Sequence, residues 1–132
     1  MYDREYAYTK KLAGTSVADA TKRVREALAK EGFGVLTEID VQAVLKAKLG
    51  VERKPYLILG ACNPSLSHRA LEAEPPIGVF LPCNVDVFEG DDGETYVQSM
   101  RPMQVFKLIA NPKVAPVAEE VDGRIRRVLE SL

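Results

Sequence analysis

The stretch KPYLILGACNPSLSHRAL, residues 54–71, decides the fold, because it places a buried strand directly before a helix. Residues 56–61 form an apolar run of the length typical of a buried strand. Pro64 suits the first turn of a helix, where its missing amide hydrogen costs nothing. The pair Pro75-Pro76 then ends the helix. This part of the chain therefore predicts a strand, a short turn and a helix.

The chain before this stretch follows the same alternation of strands and helices. Ser16 suits the N-cap of the first helix, and Gly32 stands where a C-cap glycine is expected. Asp40 can cap the second helix, which Gly50 ends. The predicted elements are a strand near residues 4–12, a helix near 17–31, a strand at 33–39 and a helix between Asp40 and Gly50.

The chain after this stretch contains a hairpin signal and two further helical patterns. Residues 77–81 are apolar and predict a fourth strand, which Pro82 interrupts and which resumes at Val85 and Val87. Gly90-Asp91-Asp92-Gly93 is a strong hairpin turn signal, so residues 95–99 are predicted to form a fifth, antiparallel strand. A short helix over 102–109 and a long amphipathic helix over 113–132 complete the chain.

The resulting order of elements is β-α-β-α-β-α-β-β-α-α, which predicts a single α+β domain over residues 1–132. The early alternation favours parallel strand pairs joined by right-handed crossovers, and the hairpin adds an antiparallel pair. The best architecture is a mixed sheet with helices packed mainly on one face. A three-layer α/β sandwich is the second choice.

Composition excludes several classes of function. Lys and Arg number 18 against 19 Asp and Glu, and the net charge of −1 gives no field that attracts nucleic acid. No apolar run approaches the length of a membrane span or resembles a signal peptide, so we expect a cytoplasmic protein. The two cysteines are then expected to be free thiols rather than a disulfide.

Three polar residues follow apolar segments and suggest one site. They are Asp40, Cys62 and Cys83, and each cysteine stands six residues beyond the start of its predicted strand. If these strands are parallel neighbours, both thiols reach the same end of the sheet, where open α/β sheets usually bind ligands. Cys62 is also close to the start of the helix that begins at Pro64, which favours a thiolate.

Other readings of the same residues stay open. Either cysteine can be a small buried apolar residue, Asp40 a plain helix cap, and His68 a solvated or capping histidine. Asn63 can cap the helix or contact a ligand. Zinc held by the two cysteines, His68 and an acid is an alternative, but the residues lack the spacing of a zinc knuckle, so we predict no metal.

The same residues carry a family resemblance. Four blocks resemble the bacterial and archaeal family called domain of unknown function 302: Phe33-Gly34-Val35-Leu36 with Ile39-Asp40-Val41, Leu59-Gly60-Ala61-Cys62-Asn63-Pro64, His68-Arg69-Ala70-Leu71, and Gly78-Val79-Phe80-Leu81-Pro82-Cys83-Asn84-Val85. The similarity runs from about residue 15 to 110. It implies a small α+β domain without an established activity. It draws attention to Asp40, Cys62, Asn63, Pro64, His68, Pro82, Cys83 and Asn84. Arg101 departs from the family pattern, in which we expect a smaller or acidic residue.

The sequence is compatible with three functions. The first choice is a binding or sensing domain for a small ligand, held at the strand ends by Asp40, Cys62, Asn63, Pro64, His68, Cys83 and Asn84. The alternative is thiol-dependent redox or small-molecule chemistry, with Cys62 as the reactive thiolate and Cys83 as its partner. The third is a structural protein, expected to be a homodimer through the apolar face of the C-terminal helix. The residues name no cofactor and no ligand.

Overall fold

The computed structural model describes residues 1–132 and confirms an α+β fold with the predicted order of strands and helices. No helix is both long enough and apolar enough to cross a membrane. The elements are β1 (Ala7–Leu12), α1 (Val17–Lys30), β2 (Gly34–Asp40), α2 (Val41–Leu49), β3 (Tyr56–Cys62), α3 (Pro64–Ala73), β4 (Cys83–Glu89), β5 (Thr95–Met100), α4 (Pro102–Val105) and α5 (Ala115–Glu130). Short 3-10 helices span Pro75–Phe80 and Phe106–Leu108.

The five strands form one sheet in the order β1-β5-β4-β3-β2, and every neighbouring pair is antiparallel. The expected parallel neighbours are therefore wrong, although the predicted β4–β5 hairpin is present. Strands β1 and β2 do run in the same direction, and α1 connects them, but they form opposite edges of the sheet. Three strands that come later in the chain fill the space between them.

The reason lies in where the connecting helices pack. Helix α2 contains no buried residue, so it lies at an end of the sheet and turns the chain back rather than crossing the sheet face. Helix α3 likewise connects the end of β3 to the start of β4 at the same end of the sheet. A helix that does not cross the face leaves its two strands antiparallel.

The predicted fourth strand is wrong in its first part, at 77–81, and confirmed at Val85 and Val87. Residues Pro75–Phe80 form a 3-10 helix, and β4 begins only at Cys83. Two successive prolines fix φ near −65° and supply no amide donors, which suits a tight helical turn better than a strand inside a sheet. Ile77 is buried by this turn, whereas Val79 is exposed.

Helices α1 and α5 cover one face of the sheet and form the core with it. Val85, Val87 and Val97 on the central strands have no exposed surface and pack in one cluster with side chains from both helices. The apolar residues of α5 are part of this core. The expectation that the C-terminal helix offers an apolar face to a partner is therefore wrong, because the sheet already covers that face.

The N-terminal segment crosses the opposite face of the sheet. The ring of Tyr2 packs edge-on against Phe88 and Tyr96, with ring centroids 5.2 and 4.7 Å apart. The carbonyl of Tyr2 accepts a hydrogen bond of 2.7 Å from the side chain of Gln98. An aromatic cluster thus closes part of the face that the helices leave open.

Candidate functional site

The two cysteines lie on neighbouring strands at one end of the sheet. Cys62 ends β3 and Cys83 begins β4, and the antiparallel register places Cys83 opposite Ala61. The sequence predicted this proximity on the assumption of parallel strands, and the chain reversal through α3 produces it instead. The two thiols are free.

Cys83 is a buried thiol with little chemical freedom. Only 5% of its surface is exposed. Burial raises its pKa to about 12, and the nearby Cys62 acts in the same direction. A thiol that keeps its proton at neutral pH is a poor nucleophile, so Cys83 fits the role of a small apolar core residue.

Cys62 is half-buried and lies two residues before the first turn of α3. Its Sγ is 3.3 Å from the hydroxyl of Ser67, which also donates a hydrogen bond of 3.3 Å to the carbonyl of Pro64. The sequence analysis did not predict a role for Ser67. The available signal was its position five residues after Cys62, on the first turns of the predicted helix. Pro64 occupies the first helical turn as predicted.

Both ends of the Asn63 side-chain amide are hydrogen-bonded within the fold. Its Oδ1 accepts from the amide of Leu66 at 3.3 Å and caps α3, and its Nδ2 donates to the carbonyl of Glu31 at 3.3 Å. Gly32 has a φ of +84°, and a Cβ there would lie 2.9 Å from Nδ2 of Asn63. Asn63 therefore ties the start of α3 to the end of α1.

Of the remaining predicted residues, Asp40 lies far from the cysteines. Asp40 pairs with Leu57 near the start of β3, roughly 17 Å along the strand from Cys62. Its Oδ1 accepts from the amide of Ala43 at 2.9 Å, so it is the cap of α2. His68 is exposed on α3, and Asn84 is exposed opposite Gly60. The predicted cluster is thus split between two ends of the sheet.

The cavity beside Cys83 is small. It measures about 30 Å³ and is lined mostly by apolar side chains, with Cys83, Asn63 and Ser67 among them. A single water needs about 10–15 Å³, so this space admits water but no organic ligand. No group of three or more His, Cys, Asp or Glu side chains is arranged to hold a metal ion.

A larger cleft lies between β1 and the second half of α5, and we call it the β1–α5 cleft. Its volume is about 280 Å³, close to the lower limit for small-molecule sites. The lining residues are Asp3, Arg4, Ala7, Tyr8, Thr9, Lys10, Arg101, Arg126, Leu129 and Glu130.

A hydrogen-bond network holds the wall of this cleft. The hydroxyl of Tyr8 donates to Oδ1 of Asp122 at 2.5 Å, and the amide of Met103 donates to Oδ2 at 3.0 Å. Burial raises the pKa of Tyr8, and Asp122 adds to the effect through its hydrogen bond and its charge. Arg101 and Arg126 act in the opposite direction, which places both cations within electrostatic reach of the phenol.

Arg101 is held against the same wall. Its Nε donates to the carbonyl of Ala7 at 3.2 Å, and its guanidinium carbon lies 4.7 Å from the centre of the Tyr8 ring. Sequence reasoning did not predict this cleft. The available signal was Arg101 itself, an arginine at a position where the family resemblance implied a smaller or acidic residue.

A second cleft, at the opposite end of the sheet, is larger, but several of its polar side chains are already hydrogen-bonded within the protein. It measures about 430 Å³ and includes Asp40, Gln42 and Thr95 in its lining. Asp40 caps α2, Gln42 donates to the carbonyl of Arg53, and Thr95 donates to the carbonyl of Thr15. These polar groups serve the fold, so this cleft presents fewer free groups than the β1–α5 cleft.

Comparison with known proteins places the chain in a family. The family model for the domain of unknown function DUF302 matches residues 8–132. The crystal structure of an uncharacterised conserved DUF302 protein from Bacillus stearothermophilus is similar, with a TM-score of 0.88 and 29% sequence identity. The match covers 96% of this chain and 98% of that one. No curated protein matches. The chain belongs to the DUF302 family.

Proposed function

We propose that this chain is a small-ligand-binding domain and that its ligand lies in the β1–α5 cleft. The observation that carries the proposal is the pairing of a cleft of about 280 Å³ with polar groups that the fold holds in place but does not use up. Tyr8 is fixed by Asp122, and Arg101 is fixed by the carbonyl of Ala7 and the Tyr8 ring. A concave site with a few convergent polar groups is the usual form of a ligand pocket.

This proposal keeps the ligand-binding function predicted from the sequence but moves its site. The space beside Cys83 is too small for an organic ligand, and the side-chain amide of Asn63 is already hydrogen-bonded at both ends. The β1–α5 cleft lies at the same end of the sheet, with β1 three strand positions from β3. Those three positions correspond to a separation of about 14 Å.

The proposal is tested by locating bound molecules in solution. Native mass spectrometry of the purified chain would detect a co-purified ligand, and a fragment mixture with charged and uncharged members would serve as a probe. Amide chemical shifts would then map the contact. We expect the largest shifts in residues 7–10, 101–103 and 126–130. Shifts confined to residues 62–68 would contradict this site, and a chain that binds nothing would overturn the function.

A second candidate function is thiol chemistry at Cys62. Its support is that Cys62 is half-buried rather than enclosed and lies near the start of α3 beside the Ser67 hydroxyl. Cys83 gives this candidate little help, because its raised pKa makes it a poor resolving thiol. Rapid alkylation of Cys62 at neutral pH, with an apparent pKa well below that of a free thiol, would favour this function over ligand binding.

We also propose that the chain forms a homodimer, through the edge strand β2 and helix α2. Five of the ten exposed large apolar side chains of the whole chain fall between residues 36 and 51: Leu36, Ile39, Val44, Leu49 and Val51. An edge strand can pair with its own copy about a two-fold axis. Light scattering of the native chain and of Leu49→Glu gives the test: we expect a dimer mass for the first and a monomer mass for the second.

A further inference from the structure

We propose that the β1–α5 cleft binds a small anion, with a carboxylate or phosphate group held by Arg101 and Lys10. This inference rests on the proposed ligand-binding function and names the chemical class of the ligand. Four cationic side chains line the cleft, namely Arg4, Lys10, Arg101 and Arg126, against two carboxylates, Asp3 and Glu130. The cleft therefore carries a local positive excess on a chain whose net charge is −1.

The cations of the cleft are poorly neutralised by the protein. Arg4, Lys10 and Arg101 are absent from the ion pairs of the chain, and Arg126 has only a long contact of 3.8 Å with Glu130. Both Lys10 and Arg101 are partly buried, so solvent screens their charges less than it screens the charge of a fully exposed cation. An anionic ligand would supply the missing counter-charge.

Asp122 is the other negative group behind this wall, and it does not fill that role. Its two oxygens accept from Tyr8 and from the amide of Met103, and only 8% of its surface is exposed. Asp3 contacts the terminal amine at 4.0 Å rather than a cation of the cleft. Neither Asp122 nor Asp3 therefore forms an ion pair with Arg101 or Lys10.

Arg101 is prepared for a planar acceptor. Within its guanidinium only Nε donates a hydrogen bond to the protein, and the guanidinium carbon lies over the Tyr8 ring. The two terminal amino groups keep their donors free, which is the arrangement that grips a carboxylate or phosphate with two parallel hydrogen bonds. Since the side chain is already ordered, binding loses less conformational entropy than it would at a mobile arginine.

The test is an amide chemical-shift titration of the full chain with sodium phosphate and with sodium succinate, each compared with sodium chloride at equal ionic strength. We expect saturable shifts in residues 7–10, 101–103 and 126–130 with phosphate, succinate or both, and none of this pattern with chloride. Saturation by only one of the two would assign the ligand to that kind of acid.

Variants distinguish specific anion binding in the cleft from nonspecific electrostatic attraction to the protein surface. Arg101→Met is expected to weaken anion binding about tenfold or more. Arg101→Lys should weaken it less, because lysine keeps the positive charge but lacks the two parallel N–H donors of the guanidinium. Arg23→Met is the matched control, since Arg23 is exposed on α1 and forms no ion pair. The midpoint of urea unfolding shows whether each variant is folded. If Arg101→Met does not fold, Lys10→Met tests the same cleft.

The outcomes distinguish the two levels of the proposal. Equal affinity in the Arg101 and Arg23 variants would overturn the anion assignment. If uncharged fragments shift the cleft amides while both anions do not, the ligand class is wrong but the ligand-binding function stands. If no probe of any charge shifts them, the proposed function fails as well.

Discussion

The Tyr8 hydroxyl and the Asp122 carboxylate meet at 2.5 Å although 114 positions separate them in the chain. Tyr8 belongs to the edge strand β1 and Asp122 to the C-terminal helix, so this bond fastens the first strand to the last helix. We expect Tyr8→Phe to destabilise the fold by about 1–3 kcal/mol, because a buried carboxylate oxygen would lose its partner. Urea unfolding measures the loss.

Tyr6→Phe is the control for this prediction. Tyr6 is 64% exposed, and its hydroxyl forms none of the side-chain hydrogen bonds. We therefore expect no change in the urea midpoint beyond experimental error. Equal losses in the two variants would show that the Tyr8–Asp122 bond contributes nothing of its own.

The two cysteines are expected to differ sharply in reactivity. Cys62 is half-buried and should be alkylated in the folded chain, whereas Cys83 is buried, with a pKa of about 12, and should react only on unfolding. Peptide mapping after iodoacetamide treatment, with and without denaturant, measures each site. Rapid labelling of Cys83 in the native chain would contradict its assignment to the core.

The raised pKa of Cys83 also predicts a loss of stability in alkali. Above about pH 9, the ordinary thiol value, the unfolded chain releases this proton while the folded chain keeps it. The unfolded state then binds fewer protons, so the free energy of unfolding falls as the pH rises toward 12. We expect Cys83→Ala to show a shallower decline than the native chain across this range, measured by urea unfolding at each pH.

Two helix caps offer a matched comparison. Asn63→Ala removes the cap of α3 and the bond to the carbonyl of Glu31, and we expect a loss of roughly 1–3 kcal/mol. Asp40→Ala removes the cap of α2 alone, a helix without buried residues, and should cost about 1 kcal/mol or less. Equal unfolding midpoints in the two variants would contradict the role of Asn63 as a tie between α1 and α3.

The buried carboxyl of Asp86 is expected to make the free energy of unfolding depend on pH in the acidic range. Burial raises its pKa, a hydrogen bond of 3.0 Å from Tyr56 opposes the rise, and its Oδ1 has no partner. Between the unfolded and folded pKa values the folded chain binds more protons, so this carboxyl lowers stability as the pH rises through that interval. We expect Asp86→Asn to flatten this part of the stability profile.

Tyr56→Phe tests the same pair from the other side. It leaves the buried carboxylate without its one donor, and we expect a loss of about 1–3 kcal/mol at pH 7. The loss should shrink as the pH falls and Asp86 becomes protonated, because the neutral acid needs the donor less. Thermal unfolding at pH 7 and pH 4 measures it, and the same change in the Asp86→Asn background should have little effect.

Much of the local structure was predictable from the chain alone. Ser16 caps α1, Gly50 ends α2 with a φ of +66°, and Pro64 occupies the first turn of α3, each as predicted. These features depend on a few adjacent residues, since a cap needs one side-chain oxygen and a left-handed turn needs a residue without a Cβ. Element type and order therefore follow from short-range chemistry.

The candidate site was predictable only in part. Cys62 and Cys83 do lie at one end of the sheet, but Asp40 lies at the other, because antiparallel pairing reverses the direction of alternate strands. The prediction assumed parallel strands, since alternating strands and helices fit either arrangement. Which arrangement forms depends on whether each helix crosses the sheet, and that is a property of long-range packing.

The sequence by itself determined the order of the main strands and helices and the α+β class of this protein, because propensity, capping and apolar periodicity act over a few residues. Only the tertiary structure decided that β5, β4 and β3 separate β1 from β2, and only it brought Tyr8, Arg101 and Asp122 together beside the β1–α5 cleft. These residues come from the two ends of the chain. Their proximity results from burying the shared apolar face of the sheet and α5, and no local pattern records that packing.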